Sequence, residues 1–123
     1  MTYFLIDLDP TTITITRHAK VLVAGFTTLT AMPLAPIVVR LYNYTTRNAR
    51  EWVSDTGEVK QIVLGVLAEP TEDIRVGHES YDTFDIADTS SPPDIRTYRI
   101  VGVRHYDSPD LPGNFIQCDC VAV

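Results

Sequence analysis

The two cysteines near the end of the chain raise the first question about chemistry. Cys118 and Cys120 are the only cysteines in 123 residues, and two thiolates one residue apart can form half of a zinc site. His18, His78 and His105 could complete such a site, but no spacing links any of them to the pair. On a strand both cysteines would project side by side from one face, which is a poor geometry for a disulfide. We expect two small buried hydrophobic side chains, with no metal.

Acid–base chemistry has one candidate, His105 followed by Tyr106 and Asp107. A histidine at the end of a strand is more commonly a solvated loop residue, and we interpret His105 in this way. The sequence contains no glycine-rich phosphate loop, no His-Glu-x-x-His motif and no Gly-x-Ser-x-Gly motif. We therefore expect no catalytic residue, no cofactor and no enzymatic activity.

A series of acidic residues extends from residue 69 to residue 88. Its spacing does not match a calcium loop, which needs oxygen ligands at positions one, three and five and a glycine at the turn. We interpret the series as a rim that faces solvent or a neighbouring subunit. Its members are Glu69, Glu72, Asp73, Glu79, Asp82, Asp85 and Asp88.

Composition indicates one globular domain that spans residues 1–123. The chain is 45% hydrophobic and 21% charged, with a formal net charge of -6. Ten basic residues spread along an acidic chain weigh against unaided nucleic-acid binding, which needs clustered cations. The apolar run at 21–39 is interrupted by Pro33 and Pro36 and so argues against a membrane helix. Residues 1–9 carry two aspartates and no basic residue, unlike a signal peptide.

Strand signals occur along almost the whole chain. Residues 11–17 alternate strictly in β-branched side chains, so we expect the isoleucines to point inward. The best helix candidate, residues 71–76, is little more than one turn long. The sequence thus predicts an all-β fold, a small antiparallel β-barrel or sandwich with long loops and at most one short helix. Further strands are predicted over residues 3–8, 37–44, 51–54, 58–68, 80–87, 96–106 and 114–121.

A tight turn is predicted at Asp55-Thr56-Gly57, where the glycine can take the left-handed conformation that a short hairpin needs. The turn would join the predicted strands at 51–54 and 58–68. Trp52, the only tryptophan, would pack on this hairpin; the alternative is an anchor in an interface.

The second half of the chain carries an ordered set of short motifs. They are Gly-Val-Leu-Ala-Glu-Pro at 65–70, Gly77, Tyr-Asp-Thr-Phe-Asp-Ile at 81–86 and Tyr-Arg-Ile-Val-Gly-Val at 98–103. This order resembles the head-closure proteins of long-tailed bacteriophages, also called head-to-tail connector or stopper proteins. The resemblance covers residues 58–123 best. It departs from the family before Tyr98, where a small hairpin is shortened or absent.

The resemblance implies a structural protein of the virion neck that is made in the host cytoplasm. Members of this family form a homo-oligomeric ring between the portal or adaptor ring and the tail, retain the packaged DNA and provide the surface on which the tail docks. Genome DNA would pass nearby without sequence-specific binding, because repeated negative charge repels phosphate. Two alternatives stay open: a tail-completion or tail-terminator protein, and a small β-barrel module that binds a ligand or peptide.

Two loops are the predicted places of contact with partners. Residues 22–36 and 88–94 combine proline, small residues and apolar groups, a composition that gains burial when a neighbour covers it. We expect the loop at 88–94 to approach the channel, because its aspartates would face DNA without binding it. The interface or channel candidates are Asp88, Ser90, Ser91, Pro92, Pro93, Asp94, Pro33, Pro36 and Trp52.

Overall fold

The computed structural model describes residues 10–43, 50–54, 56–77, 79–87, 90–106 and 115–123. Across these residues the chain forms nine strands, all pairings are antiparallel, and there is no helix. The strands are β1 (Thr11–Ile13), β2 (Ile15–Val23), β3 (Phe26–Pro33), β4 (Ile37–Asn43), β5 (Arg50–Val53), β6 (Val59–Ala68), β7 (Ser80–Ala87), β8 (Ile95–Tyr106) and β9 (Phe115–Ala122). The predicted all-β class is confirmed.

The strands form one curled sheet with the shape of a half-barrel. Their order is β1-β4-β6-β9-β8-β7-β2-β3, and β5 pairs with β6 beside this path. Only Thr14 separates β1 from β2. One continuous segment therefore pairs with β4 through Ile13 and with β7 through Ile15, and it draws distant parts of the sheet toward each other.

The core lies on the inner face of this curl. Alternate residues of the strands supply it, and both Ile13 and Ile15 are buried, as the alternation at 11–17 predicts. Cys118 and Cys120 are also fully buried on the same face of β9, as expected, and both are free thiols. The buried cluster consists of Ile13, Ile15, Val39, Leu64, Val66, Ala68, Phe84, Ile100, Ile116, Cys118 and Cys120.

A bulge in β6 changes which face its side chains occupy. Leu64 lies opposite Cys120 in the core, whereas Ile62 lies opposite Val121, and the register shifts between these two pairs. The extra residue, Val63, moves Ile62 to the outer face of the sheet. As a result the first part of β6 and the end of β9 present side chains to a pocket outside the core.

The predicted loop at 22–36 is wrong, because most of this segment is a β-hairpin. β2 and β3 pair continuously up to Val23 and Phe26. A two-residue turn joins them at Ala24 and Gly25, both with positive φ, 51° and 83°, as a tight hairpin turn requires. Pro33 is the last residue of β3, so only residues 34–36, including the exposed Pro36, connect β3 to β4.

The helix candidate at 71–76 is not helical, which agrees with the prediction of at most one short helix. After a turn at 70–71 this segment runs without helical structure to Val76, which bridges Tyr81. The reason is local: the carboxylate of Asp82 accepts the backbone N–H of Arg75, and Asp82 in turn donates its own N–H to the Arg75 carbonyl. These two hydrogen bonds hold the segment extended along β7.

The hairpin predicted around residues 55–57 is confirmed by the pairing of β5 with β6 and by the positive φ of Gly57, 86°. The strand predicted over 3–8 lies outside the described residues. No helix in the described ranges has the length and hydrophobicity needed to cross a membrane.

Candidate functional site

The β2–β3 hairpin continues past the body of the sheet. β2 pairs with β7 only as far as Ala19, and the N–H of Lys20 makes a last hydrogen bond to the Glu79 carbonyl at 2.8 Å. Beyond that point, β3 is the described strand that still pairs with β2. We call this extension, together with the rest of β3, the arm; it comprises residues 20–33.

Apolar side chains cover both faces of the arm. Every residue of β3 is exposed. Val23 and Phe26 form a cross-strand pair on one face, while Leu22 projects from the other. Leu22 is 73% exposed and Phe26 is 76% exposed. The exposed large hydrophobic residues of the arm are Val21, Leu22, Val23, Phe26, Leu29 and Met32. Apolar groups clustered in this way indicate a surface that a partner covers.

The arm also presents an open strand edge. β3 ends the strand order and pairs with β2 alone among the described strands. Its outer backbone N–H and C=O groups can therefore accept a strand from another chain. The sequence of β3 contains no charged side chain, which is one of the usual protections of such an edge.

Charge is divided sharply along the chain. Residues 10–50 contain five lysines and arginines and no acidic residue, whereas residues 51–123 contain fourteen acidic and five basic residues. The arm thus lies in the third of the sequence that has no acidic residue, and the net negative charge comes from the remainder. Lys20 is the one charged residue of the arm, so its surface is mainly apolar and uncharged.

The candidates in the second predicted loop form a compact turn between β7 and β8. Ser90, Ser91, Pro92, Pro93 and Asp94 are all exposed. The hydroxyl of Ser90 donates to the Pro92 carbonyl at 3.0 Å and accepts the Asp94 N–H at 3.2 Å. Asp88 lies outside the described residues.

The two predicted contact segments lie at opposite ends of the sheet. The arm leaves β7 at its first residue, Ser80, which pairs with Ala19, whereas the turn at 90–94 follows the last residue of β7, Ala87. The structure therefore separates the arm from the turn and gives the subunit two different exposed ends.

The interpretation of the acidic series as an exposed rim is wrong for Asp82. Its side chain is completely buried, and Arg17 donates Nε–H and Nη2–H to its two carboxylate oxygens at 3.0 and 3.1 Å. The hydrogen bond from Arg17 to Asp82 raises the pKa of Arg17. Asp73 is exposed, and its hydrogen bond from Arg75 lowers its pKa.

A pocket of about 470 Å³ lies on the outer face of the sheet. Its wall contains Trp52 together with Tyr81 and Arg99, which no spacing in the sequence links. The guanidinium carbon of Arg99 lies 5.1 Å from the ring centroid of Trp52 and 4.0 Å from that of Tyr81. His18 stacks on Tyr81 at 4.8 Å, and its Nε2 lies 2.9 Å from the Thr83 hydroxyl. We call these four side chains, Trp52, Arg99, Tyr81 and His18, the stack.

The structure also places two of the histidines that were considered for metal binding and acid–base chemistry. His18 belongs to the stack, and His105 is exposed near the end of β8 opposite Ile116. Within the described part of the chain no group of three or more His, Cys, Asp and Glu side chains could hold a metal ion. His78 and Asp107 lie outside that part.

No protein-family model matches the chain, and comparison with curated proteins and with solved structures finds no match.

Proposed function

We propose that this protein is a structural subunit that assembles head-to-tail into a homo-oligomeric ring, and that the ring is part of the neck of a long-tailed bacteriophage. The arm is the observation that carries the assembly part of the proposal. The neck location is supported by the resemblance of residues 58–123 to head-closure proteins. In this position the ring would contact the portal or adaptor on one side and the tail on the other.

The arm is suited to a head-to-tail contact because it differs from the rest of the subunit. A ring requires two different surfaces on each copy, since each subunit binds its neighbours through opposite sides. The arm offers an open strand edge and exposed apolar side chains with one charge, that of Lys20, whereas residues 51–123 are acidic. An edge strand that joins a neighbour's sheet gains main-chain hydrogen bonds, and the flanking apolar side chains gain burial.

The acidic part of the chain fits a passage for DNA. Negative side chains that face a channel repel phosphate, so DNA can move through the ring without adhering. Asp94 stands in the exposed turn at the end of the sheet opposite the arm. We place this turn, rather than the arm, nearer the channel.

The experiment compares two purified variants with the native chain. In the arm variant, Leu22 and Phe26 are both replaced by Ser; in the control, Val53→Ser removes a 59%-exposed apolar side chain outside the arm. Light scattering after size-exclusion chromatography measures the mass of each protein, alone and mixed with the products of the genes that flank its own. Electron microscopy of the mixtures and of virions locates any ring.

We expect the native chain and the control to form rings in the mixture that contains their neck partner, and the arm variant to remain monomeric with an unchanged Tm. A native chain that stays monomeric in every mixture contradicts the ring. A ring that forms on isolated tail tubes, rather than on the portal or adaptor ring, identifies a tail-terminator protein on the tail side of the same joint instead.

A further inference from the structure

The pocket on the outer face holds an arginine side chain that no described residue pairs with. Arg99 lines this pocket, and no described residue forms an ion pair or a hydrogen bond with its side chain. Its Nε is buried and lacks an acceptor among the described residues. A buried donor without an acceptor is costly, so a ligand that brought an acceptor would be favoured at this point.

The two aromatic rings fix the position of the guanidinium. Arg99 lies against both Trp52 and Tyr81, and His18 supports the far side of Tyr81. A guanidinium held in this way has already lost much of its rotational freedom, so little more is lost when it binds. Its planar edge matches a carboxylate, which can accept two parallel hydrogen bonds.

The remaining polar groups of the pocket favour a single carboxylate group over a phosphate as the group that is bound. Glu58 and Asp85 also line it, and their carboxylates would repel a dianionic phosphate more strongly than a carboxylate. Lys60 is already engaged, because its Nζ donates to the Ala122 carbonyl at 3.1 Å and lies 3.8 Å from Glu58. The Thr16 hydroxyl also lines the pocket, whereas the Thr83 hydroxyl lies 2.9 Å from His18 Nε2 and the Thr97 hydroxyl donates to Asp85 at 2.6 Å.

We infer that this pocket is a binding site for a carboxylate, presented either by a small organic acid or by the side chain of an acidic peptide segment, with Arg99 as the residue that binds it. The volume of about 470 Å³ falls in the range of small-ligand sites. The inference rests on the pocket alone and is independent of the proposed ring.

The test uses the fluorescence of Trp52, which is the only tryptophan in the chain and lies against Arg99. The native protein is titrated with glutarate, with a capped Gly-Glu-Gly peptide, with the matching Gly-Gln-Gly peptide and with inorganic phosphate. Arg99→Gln removes the proposed contact. Arg96→Gln is the matched control, because Arg96 is an exposed arginine on the same strand and does not line the pocket.

We expect saturable binding of glutarate or the glutamate peptide, at least tenfold weaker in Arg99→Gln and unchanged in Arg96→Gln. Preference for the peptide would identify an acidic protein segment as the source, and preference for glutarate a free acid. Circular dichroism establishes that Arg99→Gln is folded. If the variant is not folded, the native protein is titrated by NMR instead, and the backbone amide shifts that change on binding must lie in the strands that line the pocket.

Three results overturn the inference. They are no saturable binding of either carboxylate up to about 10 mM, equal binding of the glutamine and glutamate peptides, and binding of phosphate as tight as that of glutarate. None of these measurements involves assembly. A negative binding result therefore does not contradict the ring proposal, and a protein that stays monomeric does not contradict the carboxylate site.

Discussion

Arg17 and Asp82 form a side-chain pair that joins β2 to β7, with two hydrogen bonds to a carboxylate that is completely buried. The two residues are also opposite each other in the register of the strands. Asp82 accepts a third hydrogen bond from the backbone of Arg75 at 2.8 Å. The pair therefore fixes both the base of the arm and the segment that precedes β7.

The first prediction concerns this pair. Arg17→Met leaves a buried carboxylate without its cation, and we expect a loss of about 3–5 kcal/mol in the free energy of unfolding. Arg75→Gln is the control, because the Arg75–Asp73 ion pair is exposed and should contribute little to stability. Urea denaturation monitored by circular dichroism measures both. Equal losses in the two variants would show that the buried pair has no special role.

The second prediction concerns the buried thiols. Cys118→Ser places a hydroxyl in an apolar core and should cost about 1–3 kcal/mol, while Cys118→Ala should be milder because it buries no polar group. Thermal unfolding measures the difference. A chelator is added in parallel, and we expect it to leave the Tm unchanged. A chelator effect as large as that of the serine variant would instead indicate a metal site.

The third prediction is a dependence of stability on alkaline pH. Burial raises the pKa of Cys118 from 9.0 to about 12, and burial also raises the pKa of Cys120. The folded protein keeps each thiol protonated to a higher pH than the unfolded chain does. The contribution of the buried thiol to the free energy of unfolding is therefore fully present below pH 9 and is lost as the pH rises toward 12. Denaturation between these values should show falling stability.

A variant in which both cysteines are replaced by Ala isolates the contribution of the thiols to this trend. It should lose less stability over the same pH interval than the native chain. An identical decline in the two proteins would assign the effect to other groups.

The fourth prediction concerns the exposed turn between β7 and β8. Deletion of residues 90–93 removes a self-contained turn outside the core, so the Tm should be nearly unchanged. If the turn approaches the channel, ring assembly or retention of DNA in particles should weaken. Particles that assemble, keep their DNA and join tails at normal yield would remove this turn from the functional account.

The sequence predicts strands well where one face of the strand is buried. Residues 12–15 alternate between exposed and buried positions, because one face of the strand meets the core and the other meets solvent. In β9 the core-facing side chains also alternate, although Asp119 and Val121 between and beside them are buried as well. The buried position of Cys118 and Cys120 follows from the same alternation. These predictions needed only local spacing.

The arm could not be predicted in this way. Its apolar side chains lie on both faces, so the segment has no period of two and resembles a loop rich in small residues. The signal that could have revealed it is Ala24-Gly25, a pair suited to a two-residue turn between β-branched runs. The helix candidate at 71–76 does not form, because hydrogen bonds with Asp82 outweigh a weak local preference.

The pocket was beyond reach of sequence reasoning because its stack is assembled from four strands. His18, Trp52, Tyr81 and Arg99 come from β2, β5, β7 and β8. Their proximity depends on the curl of the sheet. The sequence indicated Trp52 only because it is the single tryptophan. Its contact with Arg99 depends on how strands far apart in the sequence are arranged in the sheet.

The segment formed by β1 and β2 pairs with β4 and with β7, which are far apart in the sequence, and this imposes an order on the formation of the two pairings. Ile13 pairs with Ile37, which follows within one short stretch of chain, but Ile15 must wait for Phe84. While the ribosome is still making the middle of the protein, β2 therefore has β3 but not β7 beside it. Pairings so far apart in sequence slow folding. The apolar hairpin therefore leaves the ribosome before residues 51–123, which carry fourteen of the sixteen acidic residues.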